Sequence, residues 1–175
     1  GIGFVTVSLG LFGIAEIITN LERASKHGRD EIAPVHSLMP TRQDMRESWP
    51  AILRGTAVGT LLGILPGGGA VLASFASYTM EKKWAKDPSR FGKGAIEGVA
   101  GPESANNAAA QTSFIPMLTL GIPSNAGMAM MVGGMMIHGV IPGPQVMTSN
   151  PQLFWGLIAS MWIGNLMLIV FNLPM

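Results

Sequence analysis

AILRGTAVGTLLGILPGGGAVLASFASYTM, residues Ala51–Met80, decides how this chain folds. Two apolar arms flank Pro66-Gly67-Gly68-Gly69. In a helix interior each Gly costs about 1 kcal/mol and Pro about 3 kcal/mol, so the four-residue run ends one helix and begins another. As helices, Ala51–Leu65 reaches about 22 Å and Ala70–Met80 about 16 Å, against a hydrocarbon core of about 30 Å. Neither arm spans a bilayer alone.

The flanks of this stretch are basic. Residues 20–50 form a polar loop carrying Arg23, Lys26, Arg29, Arg42 and Arg46, closed by Trp49-Pro50. Residues 81–104 form a second loop and connector, with Lys82, Lys83, Lys86, Arg90 and Lys93. Short basic loops stay cytoplasmic, so the segment between two of them enters and leaves by one face. Residues 51–80 are therefore expected to form a re-entrant hairpin with its tip at 66–69. Trp49 and Trp84 flank it as interfacial anchors would. The alternative is one broken span, which places one basic loop outside.

Charge distribution extends the membrane reading to the whole chain. Only 12% of residues are charged and 48% are hydrophobic, where a soluble domain carries about 25% charged. All 11 Lys and Arg lie between Arg23 and Lys93, and no formal charge follows Glu103. A soluble fold has no means of covering its surface with such a segment. The net charge of +1 carries no base-stacking aromatic pattern, so no nucleic-acid partner is expected. Cysteine is absent, and the three His residues are scattered, which argues against a metal centre.

Around the first break the remaining elements follow. Residues 1–19 are apolar and read as a transmembrane helix, without the basic leader and cleavage site of a signal peptide. Residues 105–140 hold a second interruption at 121–125, Gly-Ile-Pro-Ser-Asn. It is either a second hairpin or a broken crossing helix. The uncharged turn at 141–151 suits the outer face. Residues 152–172 read as a further span. The fold class expected is an all-α integral membrane protein of transmembrane helices plus re-entrant or broken helical hairpins. Starting on an apolar span and ending as a helix ends, the chain reads as an internal piece of a longer one.

The breaks are where chemistry is expected. Non-helical backbone at membrane depth occurs where it is buried in protein or lines a cavity. A break frees N–H groups that attract an anion and carbonyls that hold a cation. Paired interrupted segments point to a transporter's central site. The substrate-binding candidates are Pro66, Gly67, Gly68, Gly69, Pro123, Ser124 and Asn125. The ion-binding candidates are Asn106 and Asn107, read as heading an apolar half-helix, and Gly121. Glu103 is either a first-turn carboxylate or an ion ligand. Arg54 reads as a snorkelling interfacial residue. Gly55, Gly59 and Gly63 share one helix face, as close helix packing requires. Gly67-Gly68-Gly69 lacks the Lys-Ser/Thr of a P-loop, and neither an intramembrane acid pair nor a Ser/His/Asp set is present. No enzyme and no organic cofactor is expected.

Several stretches together resemble the large TctA-type permease subunit of tripartite tricarboxylate transporters. They are Arg54-Gly55-Thr56 through Gly63-Ile64-Leu65-Pro66-Gly67-Gly68-Gly69, Phe91–Ala100, Pro102–Ala109, Ile115–Pro123, Ile137-His138-Gly139 with Pro142-Gly143-Pro144, and Gly10–Glu16. The resemblance covers nearly the whole chain. It implies one half of an inverted-repeat transporter in the bacterial inner membrane. It implies import of citrate-like di- and tricarboxylates driven by an ion gradient, usually Na⁺. It also implies two partners, a small TctB-type membrane subunit and a periplasmic TctC-type solute-binding protein. Many members carry Gly-Ser after the second Ile-Pro. This chain has Ser124-Asn125, which exchanges backbone freedom for side-chain polarity. The competing class is a non-transporting membrane scaffold or assembly subunit, separated from the first by uptake measurements.

Overall fold

A computed structural model of the chain describes residues 39–172, together with Ile18, Leu21 and Glu22, which are helical. The span expected over 1–19, and the loop up to residue 38, otherwise lie outside the described residues. The chain divides into two units, Gly1–Ser37 and Leu38–Met175, and the following concerns the second.

Among the described residues every regular element is a helix. Helix α1 runs Arg42–Ile64 and α2 runs Gly69–Trp84. A short 3₁₀ turn, Pro88–Arg90, leads to α3, Glu97–Thr112, and α4, Phe114–Leu120. After 121–125 come α5, Ala126–Ile137, the single turn α6, Val146–Ser149, and α7, Pro151–Asn172.

Helix α1 begins well before Ala51. Thr41 caps it through its hydroxyl, which accepts from the Asp44 N–H at 3.1 Å, and the Asp44 carboxylate accepts from the Thr41 N–H at 2.8 Å. Pro50 sits inside α1. The carbonyl it leaves without a partner belongs to exposed Arg46, where water can satisfy it. The expected loop over 20–50 therefore gives up its last nine residues to helix. The connector expected over 81–104 is likewise mostly helical, since α2 continues to Trp84 and α3 starts at Glu97.

The first break has a specific backbone. Leu65 is extended, and Gly67 and Gly69 take the left-handed φ values of 79° and 62°. Side chains with a Cβ rarely adopt these. The turn sends α2 back along α1, so the two helices are antiparallel.

Helix α3 packs against both. A Cβ on Gly55 would sit 2.1 Å from the Gly101 carbonyl oxygen, one on Gly59 2.2 Å from that of Ala105, and one on Gly63 2.6 Å from that of Ala109. The pairing rises in step on both helices, so α1 and α3 are parallel and their backbones touch. This is the small-residue packing expected of the Gly55, Gly59 and Gly63 face. On the other side Ala73 of α2 packs with Ala105 and Ala109. Phe91 closes the base, edge-on to Tyr78 at 5.5 Å and against Gly98.

A second cluster gathers Met117 and Leu118 of α4, Met128 of α5, and Val140 and Val146, with Phe154 and Leu157 of α7 packed against it. Large apolar side chains such as Leu61, Val71, Phe75 and Trp162 point outward. Among the described residues one helix, Pro151–Phe171, is long and apolar enough to cross a membrane.

Candidate functional site

The two breaks adjoin in space. A Cβ built on Gly69, the first residue of α2, would lie 3.5 Å from the backbone oxygen of Ser124 and 4.0 Å from the Cβ of Asn125. The start of α2 has no side-chain cap. Its first N–H groups lack helical partners, and the helix dipole adds partial positive charge there.

Each candidate at this junction has a distinct setting. Ser124 is buried, and its hydroxyl has no hydrogen-bond partner. Asn125 is extended and caps α5, its Oδ1 accepting from the Met128 N–H at 2.9 Å. Pro123 is half-buried, while Pro66 and Gly67 are exposed. Gly68 is fixed by packing, because a Cβ on it would stand 2.4 Å from the Leu62 carbonyl oxygen. Its N–H donates to the Leu65 carbonyl at 3.0 Å.

Gly121 ends α4 in the left-handed conformation, with φ of 71°. A Cβ there would lie 3.0 Å from the Pro142 carbonyl oxygen, and the neighbouring Gly143 N–H donates to Leu118 O at 3.0 Å. The Pro142-Gly143 turn is thus bound to the second break. A hollow of about 400 Å³ lies on that turn, lined by residues such as Pro142, Gly143 and Asn150 and by no charged side chain.

The ion-binding candidates are not brought together. Asn106 and Asn107 stand in the middle of α3 rather than at a helix start, because the helix begins at Glu97. Pro102 inside α3 does not end it. Asn107 Nδ2 donates to the Glu103 carbonyl at 2.9 Å, one turn back. Gly121 lies 14 positions beyond Asn107, about 20 Å along a helical rise. Glu103 falls in the second turn of α3, since Glu97 occupies the first.

Arg54 is not free at an interface. Its Nε donates to Glu81 Oε1 at 2.8 Å and its Nη2 to Oε2 at 2.6 Å. Glu81 is only 2% exposed, so this is a bidentate pair with a buried acid. Sequence reasoning assigned Glu81 to a loop and missed it. The signal was there: residues 54 and 81 are nearly equidistant from the tip.

The model of the tripartite tricarboxylate transporter TctA family matches residues 1–175. One relative, an uncharacterised 52.8 kDa protein in the TAR-I ttuC' 3' region of Agrobacterium vitis, is 57% identical over 175 residues, covering 100% of this chain and 35% of that protein. Another, an uncharacterised protein in the TAR-II ttuC' 3' region of the same organism, is 69% identical over 117 residues, covering 67% of this chain and 48% of that protein. The chain thus spans less than half the length of each of these two curated relatives. No solved structure matches it.

Proposed function

The chain belongs to the tripartite tricarboxylate transporter TctA family, and from that premise we propose that it forms part of a permease importing citrate-like di- and tricarboxylates across the bacterial inner membrane. A periplasmic binding protein of the TctC type delivers the substrate, a TctB-type subunit completes the membrane complex, and a cation gradient, Na⁺ by preference, drives transport. In this reading α1 and α2 are a re-entrant hairpin, and α7 crosses the bilayer.

One observation carries the reading: the approach of Gly69 to Ser124 and Asn125. It joins the uncapped start of α2 to a buried hydroxyl without a partner. A carboxylate seated there meets N–H donors, a positive dipole end and the Ser124 hydroxyl. The surrounding glycines let it reach the backbone. A multi-carboxylate substrate has further oxygens for the other half of the permease.

The test is uptake by the full-length permease, reconstituted with its partner subunits, of radiolabelled citrate and related carboxylates. Wild type is expected to concentrate substrate only under a Na⁺ gradient. Asn125→Asp keeps the cap on α5 but adds a negative charge beside the anion. It is expected to raise the half-saturating substrate concentration about tenfold or more while leaving insertion unchanged. Ser124→Ala is expected to weaken binding by a smaller factor. Wild-type uptake kinetics in both variants would remove the junction as the substrate site. A permease that carries no carboxylate under any gradient would leave the scaffold reading standing.

A further inference from the structure

Three acids lie on α2 and α3, and two of them are paired with arginine. Glu81 is held by Arg54, and Glu97 lies 3.6 Å from Arg90. The third, Glu103, makes no ion pair and accepts no hydrogen bond on its carboxylate among the described residues. It lines a groove of about 520 Å³ between α1, α3 and α7.

The rest of that groove is built of oxygen-bearing side chains. Glu103, Asn107 and Gln111 recur every fourth residue and share one face of α3, with Thr56 of α1 beside them and Asn165 of α7 opposite. Ser104 also lines it, and Leu168 and Ile169 supply the apolar wall. Asn107 gives its amide nitrogen to the Glu103 carbonyl. Its amide oxygen is left to accept or to coordinate. Along α3 the polar face extends for about 12 Å toward the hairpin tip.

Depth turns this face into a requirement. Thr56 lies seven residues beyond Trp49, about 10 Å further along α1 from the interfacial anchor. A bare carboxylate at that depth is costly unless a cation or proton accompanies it. Among the described residues no Lys or Arg lines the groove, and Arg54 is already held by Glu81. One carboxylate among neutral amide and hydroxyl oxygens suits a hard, singly charged ion better than a divalent one, which draws on several carboxylates.

We propose that the groove formed by Glu103, Asn107, Gln111, Thr56 and Asn165 binds the coupling cation, a single Na⁺, away from the carboxylate at the Gly69–Ser124 junction. This rests on the reading of the chain as part of a cation-driven permease, and it replaces Asn106 and Gly121 as ligands. Glu103 supplies the compensating charge. Asn165 ties ion occupancy to the position of α7.

The experiment is direct binding of radioactive sodium to the purified full-length permease, alongside the sodium dependence of carboxylate uptake in liposomes. Glu103→Gln and, as a second variant that keeps the acid, Gln111→Leu are compared with wild type. Thr79→Ala, a hydroxyl outside the groove, is the control. Loss of sodium binding in Glu103→Gln, with an increase of about tenfold in the sodium concentration for half-maximal uptake in Gln111→Leu, supports the site. Wild-type sodium binding in both variants overturns the site and leaves the transport reading intact. Uptake by wild type that ignores sodium, with no sodium bound, overturns the coupling reading together with the site. Reduced assembly of both variants with an unchanged sodium requirement also overturns the site, since it marks the polar face as a helix contact.

Discussion

Arg54 and Glu81 face each other across the α1–α2 hairpin because each stands about three helical turns from the Pro66–Gly69 tip. The acid is buried, and both of its oxygens are used by one guanidinium. Removing Arg54 strands a buried carboxylate, whereas removing Glu81 leaves a guanidinium that water still reaches. Arg54→Met is expected to destabilise the full-length protein by about 3–5 kcal/mol, and Glu81→Gln by less, measured by denaturant titration in detergent. The double replacement Arg54→Met with Glu81→Leu is expected to recover most of that loss, because two apolar groups leave nothing unpaired. A double variant as unstable as the sum of the singles would show that the pair is not the source of the effect.

Ser77 stands one turn from Glu81 on the same helix, fully buried, and its hydroxyl makes no hydrogen bond. A polar atom buried without a partner contributes nothing that its removal would forfeit. Ser77→Ala is expected to leave stability unchanged within about 0.5 kcal/mol, or to raise it. Pronounced destabilisation in the same titration would reveal a hydroxyl contact in the assembled complex.

The glycines separate into two kinds. At Gly59 an added Cβ collides with backbone of α3 at 2.2 Å, whereas at Gly133 and Gly134 on α5 nothing lies within 4 Å. Gly59→Ala is expected to destabilise by about 1–3 kcal/mol through forced separation of α1 and α3. Gly133→Ala and Gly134→Ala are expected to stabilise by about 0.5–1 kcal/mol, the helix-interior preference for Ala over Gly. Melting of the purified permease checks the sign at all three positions.

Trp49 and Trp84 are both exposed and stand at similar distances from the tip, so they mark one end of the hairpin. From there to the end of α1 the arm is 16 residues, about 24 Å, shorter than a hydrocarbon core of about 30 Å. Gln43→Cys and Lys86→Cys are therefore expected to react with a membrane-impermeant thiol reagent from the same side, the cytoplasmic one. Labelling from opposite sides would exclude the re-entrant arrangement.

The start of α1 is expected to respond to acid in a defined direction. Hydrogen bonds from the Thr41 hydroxyl and then the Thr41 N–H hold the Asp44 carboxyl below the usual carboxylate range. A lowered folded-state pKa contributes stability above the unfolded value, about 3.9, which is lost as pH falls through the folded one. Amide protection in the first turn of α1 is expected to stay constant from about pH 5 to pH 8 and to fall below about pH 4. Thr41→Val is expected to weaken that protection throughout the same range.

How much of this was legible in the sequence depended on distance along the chain. The breaks are local: Gly67, Gly69 and Gly121 take left-handed backbone that residues with a Cβ avoid, and Pro-Gly runs announce it. The small-residue face of α1 was legible for the same reason, since its period is that of one helix. Helix ends were less so. The capping box at Thr41 and Asp44 carried α1 back to Arg42, and Pro102 sat inside α3 where a start was expected near Ala105.

By itself the sequence determined helices with two interruptions, a long apolar helix over 151–172 and membership of the TctA family. Each of these follows from a residue's own backbone freedom, hydrogen-bonding capacity or pattern with near neighbours. Tertiary structure alone decided that Gly69 meets Ser124 and that Arg54 holds Glu81. It also placed Asn165 along the same groove as Glu103, Asn107 and Gln111. These relations join residues far apart in the chain, and they are set by how closely helices pack, a property that no short stretch encodes.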